Sequence, residues 1–307
     1  MELNKFLAEW HNDNPRILVH TSGSTGKPKP LMVEKRRMLN SARITCDFLG
    51  LKPGDTALLC MPLDYIAGKM MVVRSLQRDL RLTSVRPSSH PLADDALPSF
   101  TFAAMVPMQV YNTLKVPCER ERLMHIRHLI IGGGAISDEL AQMIKPLPNA
   151  VWSTYGMTET LSHIALRRLN GPDASLWYTP FDGVGISLNA DGCLVIDAPE
   201  VCAEPLVTND IAQLRTDDRT GKTLFRIKGR KDNVVCSGGI KIQIEEVEEA
   251  LRPHLSAPFM IVKKQDEMLG EKAILLTEST DLTHIEEICR NTLPKYWAVS
   301  YTHLTLP

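Results

Sequence analysis

The chain is organised around a loop that reads Thr21-Ser22-Gly23-Ser24-Thr25-Gly26-Lys27-Pro28-Lys29. The loop directly follows the apolar run Ile17-Leu18-Val19, which predicts a strand that leads into it. The two glycines allow the backbone to come close to a ligand, while the hydroxyl and lysine side chains supply donors and positive charge. These are the requirements for binding a triphosphate.

The spacing of this loop differs from that of a Walker A loop, in which four residues separate the glycines and Lys-Ser/Thr follows. Here two residues separate Gly23 from Gly26, and Pro28 follows Lys27. Because α geometry is disfavoured before a proline, we expect the loop to stay extended and to act as a mobile flap. A Gly/Ser-rich connector without a ligand is the alternative interpretation.

The composition is that of an ordinary globular chain and gives no sign of a nucleic-acid or membrane partner. Of the 307 residues, 44% are hydrophobic and 23% are charged, and the formal net charge is -1. The seven cysteines are scattered without a C-x-x-C pair, so neither a zinc site nor a disulfide framework is indicated. The sequence shows no apolar signal segment or membrane span. We therefore expect a cytoplasmic protein whose partners are small molecules, and a homodimer is left open.

The spacing of apolar residues predicts an α/β fold. A helical pattern over residues 34–49 ends at Gly50, and strand-like apolar runs follow it. These runs cover residues 56–61, 81–85, 100–106 and 128–131. Because helix-like stretches separate them, we expect a largely parallel sheet.

Two domains are predicted. A large N-terminal α/β domain over residues 1–230 includes a small β subdomain at 171–215, where Asp182-Gly183 and Asp191-Gly192 indicate hairpins. A small, mobile α+β domain follows over residues 231–307 and is expected to be incomplete. Its elements are predicted as helices around 245–251 and 284–289 and strands at 259–263 and 273–276, with the glutamates at 245, 246, 248 and 249 on a solvated helix face.

Two further segments combine glycine with chemistry-bearing side chains. In the first, Gly132-Gly133-Gly134 ends a strand in a turn that would admit a flat ligand, and Ser137 caps the helix that follows. A purely structural turn is the alternative. The second reads Ser153-Thr154-Tyr155-Gly156-Met157-Thr158-Glu159-Thr160. A glutamate beside threonine hydroxyls suits a magnesium ion held mainly by phosphates, and a solvated turn is the alternative.

An acidic residue, Asp210, ends the β subdomain, and Gly229-Arg230-Lys231-Asp232 and Gly238-Gly239 follow it. Such a carboxylate could accept both hydroxyls of a ribose. A lone aspartate is more often a turn residue, and the glycine pair is by itself an ordinary hairpin turn.

Taken together, these motifs resemble, in their order across residues 17–250, the core motifs of the adenylate-forming superfamily. That superfamily contains acyl- and aryl-CoA ligases, luciferases and nonribosomal peptide adenylation domains. The sequence around Gly132 and after Gly229 is most similar to that of the o-succinylbenzoate-CoA ligases of menaquinone synthesis. Two positions depart from the usual pattern: Pro30 replaces a glycine after the first loop, and Asn209 replaces the glycine of a Thr-Gly-Asp motif.

The resemblance implies a reaction in two halves that uses ATP, Mg²⁺ and CoA. A carboxylate attacks the α-phosphorus of ATP to give an acyl-adenylate and pyrophosphate, and the CoA thiol then displaces AMP. Such chemistry depends on positioning and charge neutralisation rather than on a protein nucleophile.

The resemblance also assigns roles position by position. Thr158 and Glu159 would be the catalytic residues, with Glu159 as the magnesium ligand. Asp232 would be the hinge, and Gly238 and Gly239 would line the CoA path. ATP would be bound by Thr21, Ser22, Gly23, Ser24, Thr25, Gly26, Lys27, Lys29, Gly133, Gly134, Tyr155, Gly156, Asp210 and Arg230.

An aromatic or dicarboxylic acid is the expected substrate, with o-succinylbenzoate first. A second carboxylate needs a cation, and Lys69 and Arg74 are the nearest candidates by sequence, although both are expected first as surface helix residues.

The enzymes that this chain resembles carry a second essential lysine near the C-terminus, in a Thr-Gly-Lys context. This sequence contains no such segment, and its last lysine is Lys295. We therefore expect a short N-terminus, a truncated or aberrant C-terminus and impaired adenylation. An adenylation domain that loads a separate carrier protein and a binding protein without turnover are the alternatives.

Overall fold

The computed structural model describes residues 2–20, 30–237, 239–294, 297 and 299–303. After the helix α1 (Leu3–His11), β1 (Arg16–His20) and β2 (Pro30–Glu34) form an antiparallel hairpin. Its ladder ends with His20 opposite Pro30. The strand predicted before the phosphate loop is therefore confirmed, and the loop itself, residues 21–29, lies outside the described residues.

A large sheet forms the centre of the N-terminal part. Its strands are β3 (Thr56–Leu59), β4 (Arg81–Ser84), β5 (Phe102–Met105), β6 (His128–Ile131), β7 (Ala150–Gly156), β8 (His163–Arg168) and β9 (Thr179–Pro180). The order is β4-β3-β5-β6-β7-β8-β9. Strands β3 to β7 pair in parallel, whereas β8 and β9 are antiparallel. The prediction of a largely parallel sheet is confirmed, and the apolar runs of β5 and β6 are buried as such a sheet requires.

The connecting helices are α2 (Lys35–Leu49), α3 (Ile66–Arg78), α4 (Pro107–Lys115), α5 (Pro117–Met124) and α6 (Asp138–Ile144). Helix α2 ends as predicted at Gly50, whose φ of 64° is the left-handed conformation that glycine adopts readily. The predicted cap of α6 is also confirmed, since Ser137 Oγ accepts a hydrogen bond from the backbone N–H of Leu140. Along the described part of the chain, none of the helices combines the length and the apolar character needed to cross a bilayer.

A smaller sheet follows, with strands β10 (Gly185–Leu188), β11 (Cys193–Asp197), β12 (Leu206–Thr216) and β13 (Thr223–Arg230) in the order β10-β11-β12-β13. The hairpin predicted at Asp191-Gly192 is confirmed because it joins the neighbours β10 and β11. The hairpin predicted at Asp182-Gly183 is wrong. This turn connects β9 of the large sheet to β10 of the smaller sheet, and the two strands are not paired.

The C-terminal elements are β14 (Val234–Ser237), β15 (Ile240–Gln243), α7 (Ile244–Leu251), β16 (Phe259–Asp266), β17 (Gly270–Thr277), α8 (Leu282–Thr292) and β18 (Val299–His303). Their sheet has the order β15-β14-β17-β16, and the backbone of β18 pairs in parallel with β17. One face of each helix contributes to a core that includes Val235, Val247, Leu275 and Ile285. The helices and strands predicted for this part are confirmed.

The prediction of a solvated glutamate face on α7 is wrong for two of its members. Glu245 Oε1 accepts hydrogen bonds from the backbone N–H of Arg230 and from Asn233 Nδ2, at 3.3 and 2.7 Å. Glu248 Oε1 accepts a hydrogen bond of 2.8 Å from the backbone N–H of Ile261. These carboxylates satisfy backbone donors at the end of β13 and within the edge strand β16, which sequence spacing alone does not indicate.

The chain divides into two units. Unit 1 comprises Met1–Ile186, Ile196–Leu206 and Arg215–Phe225, and unit 2 comprises Ser187–Val195, Val207–Leu214 and Arg226–Pro307. The domain boundary predicted at residue 230 stays a prediction.

Candidate functional site

A cavity of about 420 Å³ lies in unit 1, where the parallel strands of the large sheet end. Val106 follows β5, Gly132 and Gly133 follow β6, and Gly156 ends β7, and all of them line the cavity. Ligands in open parallel sheets bind at the carboxyl ends of the strands, because the loops there are free to carry varied side chains. The cavity thus has the size and the position of a small-molecule site.

The first wall is formed by the glycine turn. A Cβ on Gly132 would lie 2.5 Å from Thr154 Oγ1, and Gly133 has a φ of +80°. Both positions therefore require glycine, one for space and one for backbone conformation. Gly134 is not among the lining residues, and a Cβ there would make an ordinary contact of 3.6 Å with Pro107. Two of the three predicted glycines thus reach the cavity.

The second wall begins at Gly156, where the pairing of β7 with β8 is irregular. A Cβ on Gly156 would lie 2.3 Å from the carbonyl oxygen of Ser162 and 2.4 Å from the Cα of His163. The turn between the strands can therefore fold back only over glycine. Tyr155, the residue before it, packs its ring edge-on against Phe225 at a centroid distance of 5.0 Å and is not among the lining residues.

The turn after Gly156 is tightly bonded. Thr160 Oγ1 donates to the carbonyl oxygen of Ser162 and accepts from the backbone N–H of Met157, at 2.6 and 3.0 Å. Leu161 has a φ of +64°, a conformation in which the Cβ of a non-glycine residue crowds the backbone, and its N–H donates to the carbonyl oxygen of Thr158. Thr158 is buried and lines the cavity, whereas Glu159 is exposed and does not.

Arg74, on α3, supplies the charge at the cavity. Its side chain is almost completely buried, with 2% relative exposure, and burial lowers the pKa of its guanidinium to about 10. Nη2 donates to Ser162 Oγ at 2.5 Å, Nη1 lies 3.9 Å from Met71 Sδ, and Nε has no partner among the described residues. No described carboxylate forms an ion pair with it. Such an isolated buried cation is uncommon and calls for a ligand or water to complete it.

Lys69, the other predicted cation, lies on the same helix but not at the cavity. Its Nζ donates to the carbonyl oxygen of Leu18 at 2.5 Å, and burial lowers the pKa of the amine. The expectation that Lys69 and Arg74 are surface residues is wrong, since both are buried. Their helix, α3, packs against β3 and β4 of the large sheet.

Sequence reasoning missed His163 and Ser162, which line the cavity beside Arg74. His163 is buried, with Nε2 at 3.1 Å from Thr45 Oγ1 and Nδ1 at 3.2 Å from Ser162 Oγ. Burial, and then the charge of Arg74, lowers the pKa of its imidazole well below the usual value. The available signal was a histidine at the head of the apolar strand Ile164-Ala165-Leu166, directly after the Thr158-Glu159 motif.

Unit 2 holds a separate polar group. Arg230 lies with Nη2 at 3.0 Å from Asp232 Oδ2 and Nη1 at 3.7 Å from Asp210 Oδ1. Asp210 is anchored by a hydrogen bond from its backbone N–H to Thr208 Oγ1, at 3.1 Å. The structure therefore brings together the predicted ribose residues and the predicted hinge residue.

Gly239 lies between the paired strands β14 and β15, with a φ of +82° and nothing within 4 Å of the position of a Cβ. This is the hairpin turn that the glycine pair also indicates. The CoA role of Gly239 stays a prediction. The positions outside the described residues are Gly238 and the loop residues Thr21, Ser22, Gly23, Ser24, Thr25, Gly26, Lys27 and Lys29.

Comparison with known families and proteins gives a consistent result. The model of the family described as AMP-binding enzyme matches residues 4–203. The 2-succinylbenzoate--CoA ligase of Salmonella typhimurium is 28% identical over 284 residues, which are 89% of this chain and 60% of that protein. The enzyme of the same name from Haemophilus influenzae is 26% identical and is matched over 62% of its length, with 90% of this chain covered. The chain spans 60 to 66% of the length of the first such relatives.

Solved structures share the fold. An acyl-CoA synthetase (AMP-forming)/AMP-acid ligase II-like protein from Dyadobacter fermentans is 33% identical, with a TM-score of 0.71 over 97% of this chain and 87% of that one. A structure of E. coli MenE with a bound analogue of OSB-AMS is 24% identical, with a TM-score of 0.74 over 94% of this chain and 65% of that one. At this lower identity, the second match bears on the fold alone.

Proposed function

The chain belongs to the AMP-binding enzyme family, and from this membership we propose that it is an AMP-forming acid-CoA ligase whose acid is o-succinylbenzoate. The observation that carries the proposal is the cavity at the carboxyl edge of the sheet, with its glycine walls and the buried guanidinium of Arg74. The relatives named 2-succinylbenzoate--CoA ligase support the choice of acid.

The proposed reaction has two balanced steps. In the first, a carboxylate oxygen of the acid forms a bond to the α-phosphorus of ATP, and the bond from that phosphorus to pyrophosphate breaks. In the second, the CoA thiol loses its proton to solvent, its sulfur bonds to the acyl carbon, and AMP leaves. Neither step needs a nucleophile from the protein, so the contribution of this chain is to bind, orient and neutralise charge.

The cavity residues would divide this work by their positions. The walls at Gly132, Gly133 and Gly156 carry no side chains, so a planar group would be able to approach the backbone there. Thr158, held in the bonded turn, would donate to the α-phosphate. Apart from the cavity, the family resemblance assigns the ribose hydroxyls to Asp210 and Arg230 and the hinge to Asp232, all in unit 2.

The acid would present its second carboxylate to Arg74. A guanidinium can bind a carboxylate through two parallel N–H donors, and the charge of Arg74 is not already neutralised by a described carboxylate. The apolar neighbours Met61 and Val106 would contact an aromatic ring. This combination favours an acid with both a ring and a second anionic group.

Magnesium fits the turn after β7, where Glu159 follows the cavity residue Thr158. Within the described ranges, no group of three His, Cys, Asp or Glu residues is arranged to hold a metal ion on its own. Mg²⁺ bound with ATP commonly uses one or two carboxylates together with phosphates and water, and the exposed Glu159 beside Thr158 can provide one. When bound, the ion neutralises the charge that develops on the phosphates.

Two other functions remain alternatives, namely an adenylation domain that loads a separate carrier protein and a nucleotide- or acyl-binding protein without turnover. The proposal also includes a cytoplasmic location and leaves a homodimer open. The guanidinium of Arg74, which no described carboxylate neutralises, provides a specific determinant for a dicarboxylic acid and supports the proposed ligase over a binding module without acid selectivity.

The test follows the two half-reactions separately across a panel of carboxylic acids. Exchange of pyrophosphate with ATP reports adenylation, and release of AMP from supplied acyl-adenylate with CoA reports thioester formation. We expect o-succinylbenzoate to lead the panel and CoA to be required for AMP release. A preference for simple fatty acids would contradict the proposed acid, and AMP release that needs a carrier protein instead of CoA would favour the first alternative.

The role of Glu159 has its own test. Glu159→Gln should lower adenylation about 10²-fold or more, because the metal loses its protein ligand, with little change in thermal stability at this exposed position. Glu204→Gln, at another exposed glutamate of unit 1, is the matched control and should retain the rate. Unchanged metal dependence in Glu159→Gln would show that the magnesium assignment is wrong.

A further inference from the structure

A chain of hydrogen bonds connects the cavity to the interior of unit 1. It begins at Arg74 Nη2, which lies 2.5 Å from Ser162 Oγ. Ser162 Oγ lies 3.2 Å from His163 Nδ1, and His163 Nε2 lies 3.1 Å from Thr45 Oγ1. The chain ends on helix α2, where Thr45 Oγ1 lies 3.1 Å from the carbonyl oxygen of Ser41.

The direction of every bond follows from its end. The carbonyl oxygen of Ser41 can only accept, so Thr45 Oγ1 gives its one proton to it and must accept from His163 Nε2–H. In the neutral imidazole Nδ1 is then an acceptor, so Ser162 Oγ donates to it. The remaining lone pairs of Ser162 Oγ face Arg74, whose Nη2 can only donate. Only one assignment of donors and acceptors therefore satisfies all the hydrogen bonds of this chain.

This arrangement holds a cation without neutralising it. Most buried charges in proteins are paired with an opposite charge, which removes their field. Among the described residues, Arg74 instead contacts the Ser162 hydroxyl and, at 3.9 Å, the Met71 sulfur, and an imidazole lies behind the hydroxyl. The pKa of His163 is lowered well below its usual value by burial and by Arg74, so the ring is neutral at physiological pH. The guanidinium is fixed in place while its charge stays available to the cavity.

We propose that Ser162, His163 and Thr45 are positioning residues that hold Arg74 as a preorganised, unneutralised cation, and that this chain sets the selectivity for an acid carrying a second carboxylate. The inference rests on the proposed function and deepens it, because it assigns selectivity to residues that do not themselves touch the second carboxylate. Preorganisation matters here because the donors then need no rearrangement when the anion binds.

The binding test uses two stable probes, the sulfamoyl-adenosine analogues of the o-succinylbenzoyl and the benzoyl adenylates, measured by calorimetry on the full chain. The wild type should bind the first about 30-fold more tightly or better, as expected for a buried charge pair. Ser162→Ala should lower this ratio about tenfold, because Arg74 Nη2 loses its acceptor, while affinity for the benzoyl probe stays the same. Thr45→Val should lower the ratio about threefold.

Two controls separate positioning from general damage to the fold. Thr45→Ser keeps the hydroxyl and should restore the wild-type ratio. Ser41→Ala removes a buried hydroxyl that has no partner among the described residues, yet it keeps the carbonyl that ends the hydrogen-bond chain, so it should leave the ratio unchanged. A ratio that Ser162→Ala and Thr45→Val leave at the wild-type value would overturn the proposal.

A spectroscopic test reads the chain directly. Long-range ¹H–¹⁵N spectra of the histidine side chains should show His163, assigned by its loss in His163→Gln, as the neutral Nε2–H tautomer between pH 6 and 8. An Nδ1–H tautomer or an imidazolium in this range would overturn the proposal.

Failure of the proposed function is recognised separately. If the wild type binds neither probe, the proposed function fails and this inference fails with it. If it binds both probes equally, Arg74 does not select a second carboxylate, and the inference fails while an acid-CoA ligase of other specificity stands. If the wild type discriminates and the variants discriminate equally, only the positioning chain is wrong.

Discussion

Two arginines of this protein, Arg74 in unit 1 and Arg230 in unit 2, have opposite surroundings. Arg74 is 2% exposed, its firm hydrogen bond goes to a hydroxyl, and no described carboxylate pairs with it. The side chain of Arg230 is 38% exposed and lies beside two carboxylates, those of Asp210 and Asp232. The buried arginine is thus the one whose charge no described carboxylate compensates.

The difference shows that burial and ion pairing decide how much an arginine contributes to stability and how available its charge is to a ligand. An exposed arginine between carboxylates contributes little to stability, because water already solvates each partner. A buried arginine without a carboxylate partner lowers the stability of the fold. Proteins retain such a residue where its charge is used to bind a ligand. In the cavity of unit 1 a buried charge lacks a described carboxylate partner, and an anionic ligand bound there would supply one.

The largest expected effect contrasts two glycines, Gly156 beside the cavity and Gly239 in the hairpin of unit 2. Gly156→Ala should lower the free energy of unfolding by about 3 kcal/mol or more, since the new Cβ meets backbone atoms at 2.3 and 2.4 Å that cannot move aside. Gly239→Ala meets nothing within 4 Å and should cost only about 1 to 2 kcal/mol for its positive φ. Urea unfolding followed by circular dichroism measures both. Equal losses would mean that the close packing of the β7–β8 turn is not a constraint.

The next effect tests the two arginines themselves. Arg74→Met should raise the free energy of unfolding by about 1 to 3 kcal/mol, because a buried, unneutralised charge is replaced by an apolar side chain of similar length. The same variant should lose its preference for the probe with a second carboxylate. Arg230→Met should change stability by less than about 1 kcal/mol. A strong loss of stability in Arg74→Met, measured by urea unfolding, would show that Arg74 is a structural residue.

A pH dependence follows from the imidazole behind Arg74. Burial lowers the pKa of His163 in the folded protein well below its unfolded value of about 6.5. The unfolded chain therefore binds the proton first, so the stabilisation is fully present above about pH 6.5 and is lost as the pH falls toward the folded pKa. The expected slope is about 1.4 kcal/mol per pH unit.

His128, whose pKa burial lowers to about 4, adds a dependence of the same sign, so the comparison is made with a variant. His163→Gln should reduce the slope of unfolding free energy between pH 6 and 5 by about 1 kcal/mol per pH unit. Denaturant titrations at several pH values measure it. An unchanged slope would mean that His163 is protonated in the folded state, against the hydrogen-bond directions inferred above.

The smallest effect concerns an exposed pair of unit 2. Lys231 Nζ lies 2.7 Å from Asp191 Oδ2, and this hydrogen bond lowers the pKa of the Asp191 carboxyl. Lys231→Gln should return that pKa toward its usual value, as read from the carboxyl ¹³C shift, without a measurable change in the unfolding midpoint. A clear drop in the midpoint would show that this exposed ion pair stabilises the fold, which would contradict the expectation that exposed charge pairs contribute little.

Several elements were predictable because their signals are local. The helix that ends at Gly50, the cap at Ser137 and the parallel strands of the large sheet follow from apolar spacing and from turn residues that act on their own neighbours. The turn at Asp182-Gly183 was predicted wrongly, since a turn signal says where the chain bends and not which strands then pair.

The sequence by itself determined the family, the α/β class and the motif at Tyr155 to Glu159, because these depend on residue types in a fixed order along the chain. Only the tertiary structure decided that Arg74 faces a cavity while Lys69 bonds to the backbone of Leu18. The sequence also left Ser162 and His163 without a role. Their partners, Arg74 and Thr45, are 88 and 118 residues away in the chain, and such contacts exist only once helices α2 and α3 pack on the sheet.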